Sequence, residues 1–311
     1  KPAHGERDLK KGERLLCERN EVKYSFIKAE SARYPVSVLC RVMKVSSSAY
    51  YDWKKRPAEI ISLQEFMLYL RCKSLFKHSR ESLGSRQLAK KLREEGFTIG
   101  RYKTRTIMRQ LGLKVVQRVA YKVTTNSKHN SAIADNLLEQ QFNPPRPNMV
   151  WAGDITYLRT AEGWLYLAVV MDLYSRKIIG WAIGKRINQD LVCRAMQMTI
   201  NLRNPDDDLI FHSDRGSQYS SKMFRKLLKR NNIRPSMSGR GACWDNAVVE
   251  RFFGSLKNEW LIKVAHLTRE TMKKDVEDYI RYYNHDRLHT ANGDLSPVKF
   301  EMCVNKVSGW T

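Results

Sequence analysis

The chain has 311 residues, 56 Lys+Arg against 32 Asp+Glu, and a formal charge of +24 at pH 7. With 42% hydrophobic and 10% aromatic residues it can bury sizeable cores, which excludes a disordered basic tail. Its longest apolar stretches, such as Leu165 to Met171, fall well short of the ~20 residues that span a bilayer, so no membrane partner is expected.

The excess charge is uneven. Residues 1–147 hold 31 Lys+Arg and 14 Asp+Glu, a net +17, whereas residues 148–311 hold 25 and 18, a net +7. A strongly basic segment attracts polyanions by counterion release and long-range steering, so nucleic acid is the first partner to consider. The six cysteines, Cys17, Cys40, Cys72, Cys193, Cys243 and Cys303, form no Cys-x-x-Cys pair and read as reduced thiols of a cytoplasmic protein. His285 and His289 have zinc-finger-like spacing without a paired Cys-x-x-Cys, so no zinc site is expected. The first thirty residues are studded with charge, unlike a signal peptide. A start at Lys1 fits a processed product or part of a longer polypeptide.

In chain order, residues 9–30 carry Leu9, Leu16, Val22 and Phe26 among many charges, the pattern of a coiled-coil tail. Val36, Leu39, Val42 and Met43 recur at helical spacing. Ser46 or Ser47 can then cap a second helix bearing Tyr50, Tyr51 and Trp53, and Arg56-Pro57 ends the unit. Residues 62–78 predict an amphipathic helix on Leu63, Phe66, Met67, Leu70 and Phe76. Two helices, over 85–95 and 101–111, flank Gly96-Phe97-Thr98-Ile99-Gly100. Leu88 and Leu92 mark the inner face of the first, and Ile107, Met108 and Leu111 that of the second. The second carries Arg101, Lys103, Arg105 and Arg109 on its other face, which is the sequence form of a helix-turn-helix. An ordinary helical hairpin with solvated charges is the alternative, and the charge asymmetry favours DNA contact.

Residues 120–148 are polar and close with Pro144-Pro145-Arg146-Pro147, as a linker does. The pattern then changes sharply. Strands are predicted over 149–158, 163–173, 176–183, 208–213 and 233–237, with helices over 188–203, 220–231, 244–260 and about 268–284. Three antiparallel strands leading into alternating helices and strands make an α/β architecture with a mixed sheet.

Three carboxylates stand out by context. Asp154 sits inside the first strand, where a charge is a poor strand former and costly to bury unpaired. Asp214 ends an apolar strand. Glu250 lies on a helix whose Val248, Phe252, Leu256 and Trp260 face a core, while Asn246, Glu250 and Lys257 share another side. Singly, each has a dull reading: a partner for Arg, a turn residue, a solvated helix residue. Together they would repel unless a cation neutralised them, and hard oxygen donors suit Mg²⁺. Two such ions would activate an attacking oxygen and stabilise a leaving one at phosphorus.

Asp154 and Asp214 are 60 positions apart, and 35 residues lie between Asp214 and Glu250. This resembles the DD(35)E signature of transposases and retroviral integrases. The words Asp154-Ile155-Thr156-Tyr157, His212-Ser213-Asp214-Arg215-Gly216-Ser217-Gln218-Tyr219 and Ser236-Met237-Ser238 are similar to those of the bacterial insertion-sequence-three family. So are Asp245-Asn246-Ala247, Glu250-Arg251-Phe252-Phe253, Leu256-Lys257, and Tyr283-Asn284 through Arg287, His289 and Ser296-Pro297. The resemblance covers about residues 34–303.

It implies a ribonuclease-H-like catalytic domain with a mixed five-stranded sheet, preceded by all-α helix-turn-helix modules. The expected domains are a helical segment 1–33, DNA-binding modules 34–119, a linker 120–148, a catalytic core 149–264 and a helical extension 265–311. It further implies a polynucleotidyl transferase that cuts element ends to free a 3′-OH, which then attacks a second phosphodiester and forms a circular intermediate. Asp154 would bridge two Mg²⁺ ions, with Mn²⁺ as a substitute, and Asp214 and Glu250 would each hold one. Asn246 and Lys257 are candidates for DNA contacts near the scissile phosphate, as is Arg215, for which a salt bridge within the fold is the alternative. Tyr283, Asn284, Arg287 and His289 read as packing and helix-end residues more than DNA contacts.

The implied partners are double-stranded DNA, as terminal repeats and target, a second copy of the chain on DNA, and the product of an upstream reading frame. The implied location is the bacterial cytoplasm, on the nucleoid. The Ala152-Gly153 pair departs from the Val-Thr or similar pair common in the family; activity is still expected, because small residues leave the carboxylate unchanged. Rival readings are a catalytically silent DNA-binding regulator and a ribonuclease-H-type nuclease.

Overall fold

The structure, a computed structural model, describes residues 20–55, 62–115, 134–205, 208–239 and 243–307. Chain contacts divide it into two units, residues 1–67 and 68–311. The first contains α1 (Asn20–Glu30), α2 (Val36–Val42) and α3 (Ser47–Lys55). Their apolar faces enclose Tyr24, Ile27, Leu39, Cys40, Met43 and Tyr50. The Tyr50 ring is fully covered and lies 6.2 Å from Tyr24 and 6.1 Å from Trp53. Ser46 precedes α3, and its hydroxyl accepts from Ala49 N at 3.5 Å. Of the predicted coiled-coil tail, residues 9–19 lie outside the described residues and the remainder is α1.

α4 (Leu63–His78) crosses the boundary. The predicted apolar face is corrected by the structure. Leu63, Phe66, Met67 and Leu70 are about half exposed or more, whereas Leu68, Cys72, Leu75 and Phe76 are buried. The buried set recurs at spacings of four, seven and eight, and it packs with Leu88, Leu92, Ile107 and Met108 of α5 (Ser85–Glu94) and α6 (Arg101–Gln110). These helices match the predicted pair. Arg101, Tyr102, Lys103, Arg105 and Arg109 of α6 are all exposed.

The catalytic-type domain follows. β1 (Val150–Thr160), β2 (Gly163–Asp172) and β3 (Ile178–Gly184) form an antiparallel meander; β4 (Ile210–Ser213) and β5 (Arg234–Met237) extend it in parallel, in the order β3-β2-β1-β4-β5. Alternation along β1 and β2 separates two cores. Ala152, Leu158, Leu165, Leu167 and Val169 face α9 (Ala247–Glu259) and α10 (Arg269–His285). Trp151, Ala168 and Val170 face α7 (Gln189–Arg203) and α8 (Lys222–Arg230). Gly180 lets α7 approach β3, since a Cβ there would collide with Thr199 Oγ1 and the Ala195 carbonyl.

Both sheet edges are covered. Ile178 N donates to Asn284 Oδ1 and Asn284 Nδ2 donates to the Ile178 carbonyl, each at 2.9 Å, so one amide closes part of the β3 edge. At the other edge Leu137 N donates to Ser236 Oγ at 2.9 Å and Met237 N to the Asp135 carbonyl at 3.3 Å. The end of the predicted linker is therefore packed, with Leu138 inside the core. Its residues 120–133 lie outside the described residues.

The C-terminal helices belong to the same body. Val276, Tyr279, Ile280 and Tyr283 of α10 share a core with the sheet. Arg287 grips Glu259 through two bonds, of 2.9 and 2.8 Å. α11 (Pro297–Val307), which falls within the helical extension expected over 265–311 but whose bounds the sequence did not give, carries Glu301, which accepts from Ser175, Lys177 and Arg203. Arg80, between α4 and α5, binds Asp275 at 2.9 and 2.7 Å and lies over the Trp260 ring; Lys90 of α5 pairs with Asp294. Among the described residues, no helix is long and apolar enough to cross a membrane.

Candidate active site

Strand register brings the two aspartates together. Gly153 of β1 pairs in parallel with Ser213 of β4, so Asp154 and Asp214 are the next residues on neighbouring strands, which run ~4.8 Å apart. β4 ends there, and α9 takes the open flank of β1. Its position is marked at both ends. Asn246 Nδ2, just before α9, donates to the Gly153 carbonyl at 3.2 Å, and Lys257 Nζ lies 4.5 Å from the centre of the Tyr157 ring. Glu250 lies between them, one turn into the helix. Val249, Phe252, Phe253 and Leu256 are the buried side of α9, with Val248 only partly covered.

All three carboxylates are partly buried. Burial and the neighbouring charges of Asp214 and Glu250 hold the Asp154 carboxyl well above the usual carboxylate range, against a 2.7 Å bond from Ile155 N. Burial and Asp214 likewise raise Glu250. Asp214 Oδ1 accepts from Gly216 N at 2.9 Å. Burial lowers the Lys257 ammonium, and the charge of Asp154 opposes that shift. Each group senses the others, yet among the described residues no three acidic, histidine or cysteine side chains are close enough to cage a metal ion as they stand.

The remaining expected residues divide by exposure. Asn246 is 5% exposed, and its Oδ1 is a buried acceptor with no hydrogen-bond partner. Arg215 is partly buried and its Nε donates to the Ser238 carbonyl at 2.7 Å, tying the ends of β4 and β5. Arg101, Lys103, Arg105 and Arg109 lie on α6, at the surface and outside this cluster. Tyr283, Asn284 and His289 are buried, and Arg287 is held by Glu259.

Three supports escape sequence reasoning. His212 bridges Ser236 Oγ at 2.9 Å and Ser238 Oγ at 3.2 Å, joining two of the quoted words; burial pushes its pKa down to about 4. Asp245 accepts from Asn136 at 3.0 Å, Gln140 at 3.1 Å and Gly239 N at 2.9 Å, anchoring the segment that leads into α9. Phe211 fills the space beside Gly153, where an added Cβ would lie 2.5 Å from its ring. The only signal for the first two was their place in ordered words. Nothing in sequence linked Phe211 to the Gly153 departure.

The chain is similar to several known proteins. Family models described as an integrase core domain match residues 144–243 and 231–297, and one described as an HTH-like domain matches residues 67–121. The transposase InsF for insertion sequence IS3A of Escherichia coli (strain K12) is 40% identical over 285 residues, covering 90% of this chain and 98% of its own. A 31 kDa protein of insertion element IS600 from Shigella sonnei is 38% identical over 263 residues, covering 84% of this chain and 97% of its own. Among solved structures, a chain of the simian T-cell lymphotropic virus intasome in complex with PP2A regulatory subunit B56 gamma superposes with a TM-score of 0.46 at 18% identity, covering 74% of each chain. The HTLV-2 integrase catalytic core domain in complex with magnesium gives 0.41 at 19% identity, covering 50% of this chain and 98% of that one. The chain belongs to the insertion-sequence-three family of transposases, with an integrase core and an HTH-like domain.

Proposed function

We propose that this transposase cuts the ends of its insertion element and transfers the freed 3′-OH to DNA at Asp154, Asp214 and Glu250. The pairing of Gly153 with Ser213 carries this reading, because it sets two carboxylates on adjacent strand ends beside a helix bearing the third. Hard oxygen donors, with Asp154 and Glu250 raised in proton affinity by burial and by their carboxylate neighbours, fit Mg²⁺ or Mn²⁺. Asp154 would serve both of two ions, with Asp214 and Glu250 holding one each. Bound there, they would supply activation of the attacking oxygen and stabilisation of the leaving one.

The protein's own groups orient the reaction. Asn246 fixes the backbone before Asp154 against α9, and Asp245 holds the segment entering that helix. Lys257 and Arg215 offer cations to phosphates flanking the scissile bond. Water attacks phosphorus at the element end and the P–O3′ bond breaks. The 3′-OH so released attacks a second phosphodiester, forming a new P–O bond as that phosphodiester's own P–O3′ bond breaks and releases a 3′-OH, with no covalent enzyme intermediate. Arg101, Lys103, Arg105 and Arg109 on α6 read the terminal repeats. Two ends must meet, so the protein acts as a dimer or larger assembly on the nucleoid, with the upstream reading-frame product as a further partner.

The test incubates the full chain with Mg²⁺ and labelled duplexes bearing its own element's ends. Wild type yields nicked and joined strands, and Glu250→Gln binds the duplex but yields neither. Equal products from both overturn the catalytic assignment. Nicks without joining would identify a nuclease, and binding without either would identify a regulator.

A further inference from the structure

One face of the β1–β2 hairpin carries aromatic and basic side chains that the carboxylate cluster does not use. Register sets Tyr157 opposite Tyr166, which in turn faces Gly184 of β3, and sets Arg159 opposite Trp164. These residues share the side occupied further down by Ala168 and Val170, where α7 covers the sheet. Leu191, in the first turn of α7, reaches Gly184, and among the described residues the core on this side has no member beyond that row. Trp164 is 46% exposed, Arg159 is exposed, and Tyr157 and Tyr166 are partly buried. The Trp164 and Tyr157 rings meet edge to face at 5.4 Å and 82°. Lys257 Nζ stands over Tyr157, and Lys185 and Arg186 emerge exposed beside the Gly184 row.

We propose that this face docks an unpaired stretch of DNA strand, with bases stacking on Trp164 and Tyr157 and phosphates meeting Lys257, Arg159 and the Lys185-Arg186 pair. Aromatic faces interleaved with cations suit single-stranded nucleic acid, because only unpaired bases offer a free π-face. Duplex interiors cannot use such a platform, since their bases already stack on one another. Tyr157 lies three residues beyond Asp154 on β1, and Lys257 feels the charge of Asp154 while covering Tyr157. Asp154 and Tyr157 therefore lie on opposite faces of β1, with Lys257 reaching round the open edge of that strand between them. The platform thus begins just across that edge from the carboxylates, and it would hold the strand parted from the element end. That last step rests on the strand-transfer reading; the binding itself does not.

The experiment measures fluorescence anisotropy of a labelled oligothymidine and of a duplex of equal length with the full chain, in EDTA. Trp164→Ala should weaken single-strand binding about tenfold and duplex binding less than twofold, while Trp164→Phe keeps most of the affinity. Glu250→Gln should bind the single strand like wild type. Because Trp164 is half exposed, its replacement leaves both cores intact. Wild-type affinity in Trp164→Ala, or equal losses on both DNAs, overturns the proposal. A fall in oligomer mass by sedimentation with unchanged oligonucleotide binding would also overturn it, by making the face a contact with a second copy. If wild type binds the strand through Trp164 yet makes no joined product, the platform stands and the strand-transfer reading falls.

Discussion

Asn246 and Gly153 are 93 positions apart and joined by one hydrogen bond, in which a side-chain amide holds the carbonyl immediately before Asp154. The amide is buried, so its expected effect on catalysis runs through the backbone it holds. Removing it loosens the spacing between the Asp154 strand and the Glu250 helix. Asn246→Ala is expected to lower kcat about 10–100-fold, with KM for the element end little changed. Asn246→Asp should be at least as slow, because it sets an acceptor against an acceptor. A KM effect with kcat intact would point to direct DNA contact instead.

Burial and neighbouring carboxylates raise the proton affinity of Asp154 and Glu250, so these two charges oppose folding until a cation or a neutral substitute relieves them. Asp154→Asn is expected to raise the melting temperature measured in EDTA. Wild type should gain stability with added Mg²⁺ or Mn²⁺, by about 2.7 kcal/mol at a hundred times Kd, and Asp154→Asn should gain much less. Equal metal responses in the two proteins would remove Asp154 from the ligand set.

Gly153 has no room for a side chain: a Cβ would lie 2.5 Å from Phe211 Cζ and 3.3 Å from the Val169 carbonyl. Gly153→Ala is expected to destabilise by about 1–3 kcal/mol, the usual range for overpacking. Adding Phe211→Leu should recover most of that loss, measured by urea unfolding. Additive losses would show that the two positions are not coupled.

Much of this was legible in the sequence because the informative residues contradict their surroundings. Asp154 is a charge inside a strand, and the turn from alternating to helical periodicity after Gly184 is abrupt, so strand and helix positions came out within a few residues. The supports of the site were not legible. His212 and Asp245 look like ordinary polar residues until the fold carries Ser236, Asn136 and Gln140 to them from 24, 109 and 105 positions away. The inner face of α4 was misjudged for a related reason. Both Leu63-Phe66-Met67-Leu70 and Leu68-Cys72-Leu75-Phe76 are helical stripes, and only contact with α5 and α6 decides between them. α11 lies inside the helical extension expected over 265–311, but its start went unread there: Ser296 Oγ accepts from Lys299 N at 3.5 Å, and Pro297 takes the first helical position.

On α6, Arg101, Lys103 and Arg105 form an exposed basic edge. Replacing all three with Gln is expected to weaken duplex binding and reduce the slope of log K against log salt by up to about 3, near one per lost phosphate contact. An unchanged slope would mean that α6 does not touch the DNA backbone.

His289 is buried against the Tyr283 ring at 4.6 Å, and burial with the charges of Arg287 and Arg176 pushes its pKa down to about 3. Unfolded, it would titrate near 6.5. Between those values the unfolded chain binds a proton that the native chain does not, so stability is full above pH 6.5 and declines as pH falls below it. From pH 7.5 to pH 5, wild type should lose about 2 kcal/mol more than His289→Gln, read from urea midpoints. Parallel losses would place the proton elsewhere.

The bond pair between Asn284 and Ile178 bears on where this protein can be cut. A piece trimmed at residue 264 keeps every carboxylate and all five strands, and would pass for a complete enzyme core. It would also strip the amide cover from β3 and the Tyr279 and Tyr283 rings from the interior, leaving a bare apolar margin that invites strand addition by another molecule. The proposed chemistry needs nothing beyond Glu250, but the cover of the β3 edge comes from Asn284 and the anchor of Ser175, Lys177 and Arg203 from Glu301.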